Sequence, residues 1–453
     1  MKRIVLAVAM ISLIALGGQV AGEMCTIDAV PAATLLLPYF EVDIDDPNGV
    51  NTLFSINNAS AAPTVAHVVL WTDWSIPTID FDIYLTGYDV QTVSLYDVFN
   101  GTLPITADAI RDPADTISPH GGAYSDNPAW DTHPIWGNDI PGCNVPFPYP
   151  NPAVTGSALD RLRNGHTGNS VAAIGGGCMG ASHGDGLARG YITVDNSNEC
   201  SLVLDPAVPG YFVANGTGLA SNVNQLWGDF FYVDTANNFA QGENLVHIEA
   251  ENGFDDTVGT GYTFYGRYTL DGRDNREPLG SLWGSRYLNG GAFDGGTNLI
   301  VWRDSTDDTI APVVCGTTPR WFPLNETQVV AFDEQEDAVE ICFLRGGGII
   351  SPPDDPTDPV CFPYETGRYQ FGEGDLAVPY TFGWTFLNLN TTVTTGVVTP
   401  WTQLGLAQSY VMTTHSALGL FSVGYNAIEL ASACTDSAAD SQHIAGCAVF
   451  RRG

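Results

Sequence analysis

The stretch from Thr34 to Leu95 alternates short apolar runs with turn residues, and no window of it carries helical spacing. It opens with the apolar run Thr34 to Val42, followed by the acidic turn Asp45-Asp46-Pro47-Asn48-Gly49. Three further runs come at Thr52 to Asn58, Ala66 to Thr72 and Asp80 to Leu85. The last, Asp80-Phe81-Asp82-Ile83-Tyr84-Leu85, has the period of two expected of a half-buried strand. Asn57-Asn58, Pro63, Pro77 and Gly87 separate the runs and turn the chain. Later strands are expected at Gly190 to Asn196, Ser201 to Leu204, Leu226 to Val233, Asn244 to Glu251 and Tyr262 to Leu270, and a short helix at Gly156 to Arg163. The pattern predicts an all-β protein.

The pattern also returns. Tyr39 followed by Leu53 is echoed by Tyr287 followed by Leu299, and equal steps onward set Val68 against Val314 and Ile83 against Val329. In the back halves, Gly190-Tyr191-Ile192-Thr193-Val194 resembles Gly383-Trp384-Thr385-Phe386-Leu387, and Phe239-Ala240-Gln241-Gly242 resembles Phe421-Ser422-Val423-Gly424. The matches keep their order, which predicts one unit used twice. The expected architecture is two tandem immunoglobulin-like β-sandwich domains, residues 23–278 and 279–431, with a C-terminal tail at 432–453. The charged stretch Asp271 to Glu277 reads as the linker. Between about 102 and 186 the alternation breaks down, so the first domain carries a long irregular insertion.

Composition then narrows the function classes. Residues 1–22 combine a basic start, an apolar run from Ile4 to Leu16 and small residues before Gly22, the pattern of a signal peptide. The run is too short for a permanent bilayer span, so export without membrane insertion is expected. The formal net charge is −35, with 16 basic against 51 acidic residues. Lys2 is the only lysine, which excludes lysine-dependent chemistry from the exported chain. Nucleic acid is excluded as a partner because phosphate contacts need clustered cations. An extracellular protein or a glycan fits better. The nine cysteines form no CxxC pair and read as disulfides. Two local pairings are expected: Cys143 with Cys178, and Cys434 with Cys447.

Four phrases carry a resemblance: Pro31 to Val42, Asn57-Asn58-Ala59-Ser60, Leu70-Trp71-Thr72-Asp73-Trp74 and Tyr84 to Asp89. With Tyr287 to Gly296, they are similar to a group of uncharacterised secreted bacterial proteins. The resemblance implies export and a bacterial source. It assigns no activity and no functional residue.

Candidate chemistry is sparse. His120, Asp126, Asp131, His133 and Asp139 supply histidine and carboxylate groups within the insertion and are the candidate metal ligands, although their spacing follows no established ligand rhythm. Acidic turns at Asp43 to Asn51, Asp304 to Asp308 and Asp354 to Asp358 offer the oxygen ligands that calcium prefers. Gly180-Ala181-Ser182-His183-Gly184 matches the string of a nucleophile elbow, but it leads into a strand where the elbow needs a helix. Trp71 lies in an apolar strand and is expected in the core, while Trp74 is free to stack on a sugar ring. The sequence therefore favours a secreted or cell-surface binding or structural protein. An exported hydrolase, its site in the 102–186 insertion, is the alternative.

Overall fold

A computed structural model describes residues 29–85, 87–104, 153–201, 204–250, 264–266, 268, 274–304, 312–319, 322–324, 326–343, 360–390, 408–418 and 420–431. Nine strands come from the first half: β1 (Thr34–Val42), β2 (Asn51–Asn58), β3 (Thr64–Trp71), β4 (Pro77–Leu85), β5 (Val90–Ser94), β6 (Ala188–Ser197), β7 (Leu226–Asp234), β8 (Phe239–Asn244) and β9 (Val246–Ile248). Nine come from the second: β10 (Leu282–Leu288), β11 (Gly296–Arg303), β12 (Gln328–Phe332), β13 (Ala338–Phe343), β14 (Thr366–Phe371), β15 (Phe382–Asn388), β16 (Ser409–Ala417), β17 (Phe421–Asn426) and β18 (Ile428–Ala431). The described chain is an all-β sandwich protein with four antiparallel sheets.

The sheets of the first half run β4-β3-β6-β1-β9 and β5-β2-β7-β8. Those of the second run β13-β12-β15-β10-β18 and β14-β11-β16-β17. Advancing every strand of the first pair by nine gives the second. The repeat extends to single residues. Thr52 Oγ1 bonds both the N–H and the C=O of Glu41, and Thr297 Oγ1 does the same with Leu288. Gly190 faces Phe40 across β1–β6, and Gly383 faces Tyr287 across β10–β15. At either glycine an added Cβ would overlap a carbonyl oxygen of the neighbouring strand, that of Trp71 or of Phe332. The next residue on each strand stacks on that neighbour: Tyr191 on Trp71 at 5.9 Å and Trp384 on Phe332 at 4.2 Å.

These anchors correct the sequence alignment of the halves. Phe40, not Tyr39, is the counterpart of Tyr287, because β1 carries a register shift between Leu37 and Phe40. Aligning Thr52 with Thr297 makes Phe54, not Leu53, the counterpart of Leu299. Val314 lies outside the strands and is 75% exposed, so it does not match Val68 of β3. Val329 belongs to β12, the counterpart of β3 and not of Ile83's strand β4. The matches around Gly190/Gly383 and Phe239/Phe421 fall on corresponding strands.

The predicted helix is present as α2 (Ser157–Thr167), preceded by the short α1 (Leu95–Phe99). His166 of α2 is buried against Phe40 and Phe99. Burial pushes its pKa down to about 4, so the ring is neutral in the core. Most of the remaining insertion, residues 105–152, lies outside the described residues. Ser201 and Leu204 are not in a strand, and Phe264 to Gly266 form a turn where a strand was expected.

The halves share one hydrophobic core that includes residues of both, among them Leu37, Ile192, Trp302 and Val411. A second cluster joins Trp74, Ile76 and Met179 to Phe322 and Leu324. Trp74 is thus buried at the junction, where the sequence left it open for stacking on a ligand. Backbone bonds pair Cys178 with Val313 in both directions, and Cys178 forms a disulfide with Cys315. The pairing of Cys178 with Cys143 is therefore wrong: a cross-link between the halves takes the place of a local loop. Cys200 and Cys361 are also disulfide-bonded, whereas Cys143, Cys434 and Cys447 lie outside the described residues.

The expected linker also has a different role. Its described residues, Asp274, Asn275, Arg276 and Glu277, are all buried. The Arg276 guanidinium donates to Ser221 O at 2.7 Å, Asp274 O at 2.6 Å and Asn222 Oδ1 at 2.9 Å, and reaches Asp195 Oδ1 at 3.4 Å. Asp195 also accepts from Tyr211 at 2.6 Å, from Tyr265 at 2.9 Å and from Thr34. A charge buried at this depth is stable only because its partners surround it.

Candidate functional site

A cleft of about 150 Å³ lies between the two sandwiches. Equivalent strands meet beside it: Ser422 Oγ on β17 donates to Ala240 O on β8 at 2.8 Å. At Gly424 an added Cβ would meet the side chain of Gln241 as it now lies. From the first half, β1 contributes Tyr39 and Glu41, the β7–β8 turn contributes Asn237 and Asn238, and β8 contributes Phe239. From the second, β14 contributes Arg368, β16 contributes Thr414 and Ser416, and β17 contributes Phe421.

One carboxylate ties the halves together at the cleft wall. Glu41 accepts from Arg189 at 2.7 Å and lies 3.6 Å from Arg368. Arg368 in turn sits 5.5 Å from the centre of the Phe239 ring, a cation–π placement. Arg189 also donates to the Tyr39 hydroxyl at 3.2 Å and to Asp185, whose pKa its hydrogen bond lowers to about 2. Burial raises the Tyr39 hydroxyl far above the usual phenol range, so it stays protonated. These charges are engaged with each other, leaving no free cation among the described residues of this wall. One group is unspent: Thr414 Oγ1 is buried and has no hydrogen-bond partner. Thr414 lines the cleft, and a partnerless hydroxyl in its wall has bonding capacity left over. The arrangement offers two phenyl rings, amides and hydroxyls, groups of the kind that line ligand sites.

The candidate metal ligands His120, Asp126, Asp131, His133 and Asp139 lie outside the described residues. Among the described residues no group of three or more His, Cys, Asp or Glu side chains is arranged to hold a metal. Asp43 of the first acidic turn accepts backbone N–H bonds from Asp45 and Asp46, and Asp45 pairs with Arg163 at 2.8 Å. That turn is closed on itself. Of the other two, Asp304 is described and buried, and residues 305–308 and 354–358 are outside the described set. In the elbow-like string, His183 Nε2 lies 2.9 Å from Asp73 Oδ2, and Asp73 Oδ1 accepts the Ala181 N–H at 2.9 Å. The string runs into β6 with no helix after it, so the elbow geometry is missing.

A second titratable cluster sits away from the cleft. His67 on β3 is fully buried, with Nδ1 2.8 Å from Asp82 and Nε2 4.0 Å from Asp80. Burial works against its charged form, but the bond to Asp82 and the charges of Asp82, Asp80 and Asp195 outweigh it and raise its pKa. Burial pushes Asp80 up to about 6, against the pull of His67. A carboxyl raised in the fold contributes stability at low pH and loses it as pH rises through about 6. The raised histidine acts in the same direction. Asp80→Asn should therefore flatten the fall in melting temperature between pH 4 and pH 7 relative to wild type. Parallel curves for the two proteins would show that Asp80 titrates as it does in the unfolded chain.

Sequence reasoning missed Glu41, Arg189, Arg368 and Thr414 as a group because they converge from four strands. One signal was available: in a chain with 16 basic residues, an arginine inside a strand is conspicuous, and Arg189, Arg303 and Arg368 are such residues. Compared with known proteins, the chain matches no family model, no curated protein and no solved structure.

Proposed function

We propose that this is an exported, non-catalytic binding protein whose ligand, a neutral oligosaccharide, occupies the cleft between the sandwiches. The observation that carries the reading is the buried, unpartnered hydroxyl of Thr414 on the wall that also holds Phe239 and Phe421. Aromatic faces pack against the C–H faces of sugars, and a buried hydroxyl with free capacity bonds a sugar hydroxyl. Arg368 is neutralised by Glu41, and the chain carries a net charge of −35, so an anionic ligand is disfavoured. Export is supported by the leader-like residues 1–22, by the disulfide between Cys178 and Cys315, and by the resemblance to secreted bacterial proteins. An immunoglobulin-like arrangement is supported by the central pairs β1–β6 and β2–β7, which lie in facing sheets of the first unit.

The test is calorimetric titration of the chain with a panel of neutral hexasaccharides differing in linkage. Saturable binding to one of them is expected, weakened about tenfold or more by Phe421→Ala and by Thr414→Val, each worth about 1.4 kcal/mol or more. Binding that ignores both substitutions places the ligand elsewhere. The hydrolase alternative has the His183–Asp73 pair as its support. It requires that His183→Ala abolish turnover of the bound saccharide, whereas the binding reading requires that no turnover exist to lose.

A further inference from the structure

The repeat exposes a difference between its copies. On the outer face of the first five-stranded sheet, the stacked pair Trp71 and Tyr191 is 0% and 1% exposed. It is covered by Tyr268, stacked on Trp71 at 5.9 Å, and by Trp302, edge-on to Tyr191 at 5.9 Å. Farther along that face, Tyr211, Tyr265 and Arg276 close over Asp195. The cover is made of aromatic rings and one arginine.

On the second sheet the equivalent pair is open among the described residues. Trp384 is 36% exposed, stacked on the half-buried Phe332, with Phe382 at 41% beside it and Ile428 at 65% on the edge strand β18. Phe386 stands where the first sheet has Thr193, and Asn388 where it has Asp195, so this face is the more apolar of the two. An acidic rim borders it. The β12–β13 turn that follows Phe332 carries Asp333, Glu334, Glu336 and Asp337, and Glu340 lies on β13. Asp333 and Glu334 act on Tyr287 beneath Phe332, whose hydroxyl burial and these charges raise to about 12. Arg286 on β10 is a single cation on this sheet.

We infer that the outer face of the β13-β12-β15-β10-β18 sheet docks a basic, aromatic polypeptide segment of another protein, its rings against Phe332, Trp384 and Phe382 and its cations against the Asp333–Asp337 turn. Charge complementarity selects this occupant. A second copy of the chain, itself at −35, would bring a like charge to the same rim. An anionic membrane is repelled for the same reason. The cover of the first sheet shows that aromatic rings fit over such a stacked pair.

The test titrates the full chain with a twelve-residue peptide of alternating arginine and tyrosine, against a control peptide of alternating glutamate and tyrosine. Saturable binding of the basic peptide alone is expected, quenching tryptophan fluorescence and lost in 0.5 M salt. Trp384→Ala should weaken it at least tenfold, as should the double reversal Asp333→Lys with Asp337→Lys. Tyr88→Ala, at an exposed ring on the other half, should leave it unchanged. If Trp384→Ala unfolds the chain, Phe382→Ser serves in its place. Binding that survives both substitutions would reflect only the general negative charge and overturn the proposal. So would a Trp384 shielded from added quencher before any peptide is present.

Discussion

Replacing Arg276 with alanine should be the most damaging single side-chain change among the described residues, lowering stability by about 3–5 kcal/mol. The guanidinium is fully buried and satisfies Ser221 O, Asp274 O and Asn222, and its loss leaves the buried Asp195 carboxylate without its cationic partner. Tyr211 and Tyr265 still donate to Asp195, but two hydrogen bonds do not replace an ion pair. The cost should therefore come mainly from the unpaired carboxylate. Removing the charge as well, in Arg276→Met with Asp195→Asn, should restore about half of the loss or more. Guanidinium unfolding followed by tryptophan emission measures both. A single-variant cost under about 1 kcal/mol would mean that water reaches Asp195 and that the site is not sealed.

The same residues show why the sequence was only partly legible. Arg276 lies in Asp271 to Glu277, where five charged residues in seven read as a solvated linker. Composition alone cannot tell a solvated charge from one whose partners arrive from positions 34, 195 and 221, because those partners are distant in sequence. Strand positions were read well where the local signal is strong. The run Thr34 to Val42 is β1 to the residue, since a buried strand writes its apolar character in one continuous piece. Correspondence between the halves failed where equal spacing was assumed. β3 begins at Thr64, soon after β2 ends at Asn58, but β12 begins at Gln328, far beyond the end of β11 at Arg303. A loop can lengthen at small entropic cost, so fixed offsets drift while strand order persists. The error of one residue at Tyr39 has a different origin: one extra residue in β1 flips the facing of all that follows. Of the cleft, only the strand arginines Arg189 and Arg368 left a signal in the sequence. Its wall assembles Glu41, Arg368 and Thr414 only after both sandwiches have formed and met.

That meeting is held by Cys178 and Cys315, and removing the bond should show at two levels. They stand 137 residues apart, a separation for which the chain-entropy picture gives about 5 kcal/mol. Removal of a native disulfide typically costs about 2–5 kcal/mol, and that range is expected for Cys178→Ser with Cys315→Ser. The double variant is preferable to reductant, because Cys200 and Cys361 are also bonded and would be cut as well. Scanning calorimetry should show a lower midpoint, and a split into two transitions if the core beneath Trp74 and Phe322 cannot hold the halves together alone. The second level is binding. If the cleft exists only while the sandwiches are docked, ligand affinity falls in proportion to the docked fraction. A saccharide that binds the double variant as tightly as wild type, despite the lower midpoint, would show that Glu41, Arg189 and Arg368 keep the cleft closed without the covalent bond. An unchanged midpoint would show that the cross-link adds nothing that the shared core does not already supply.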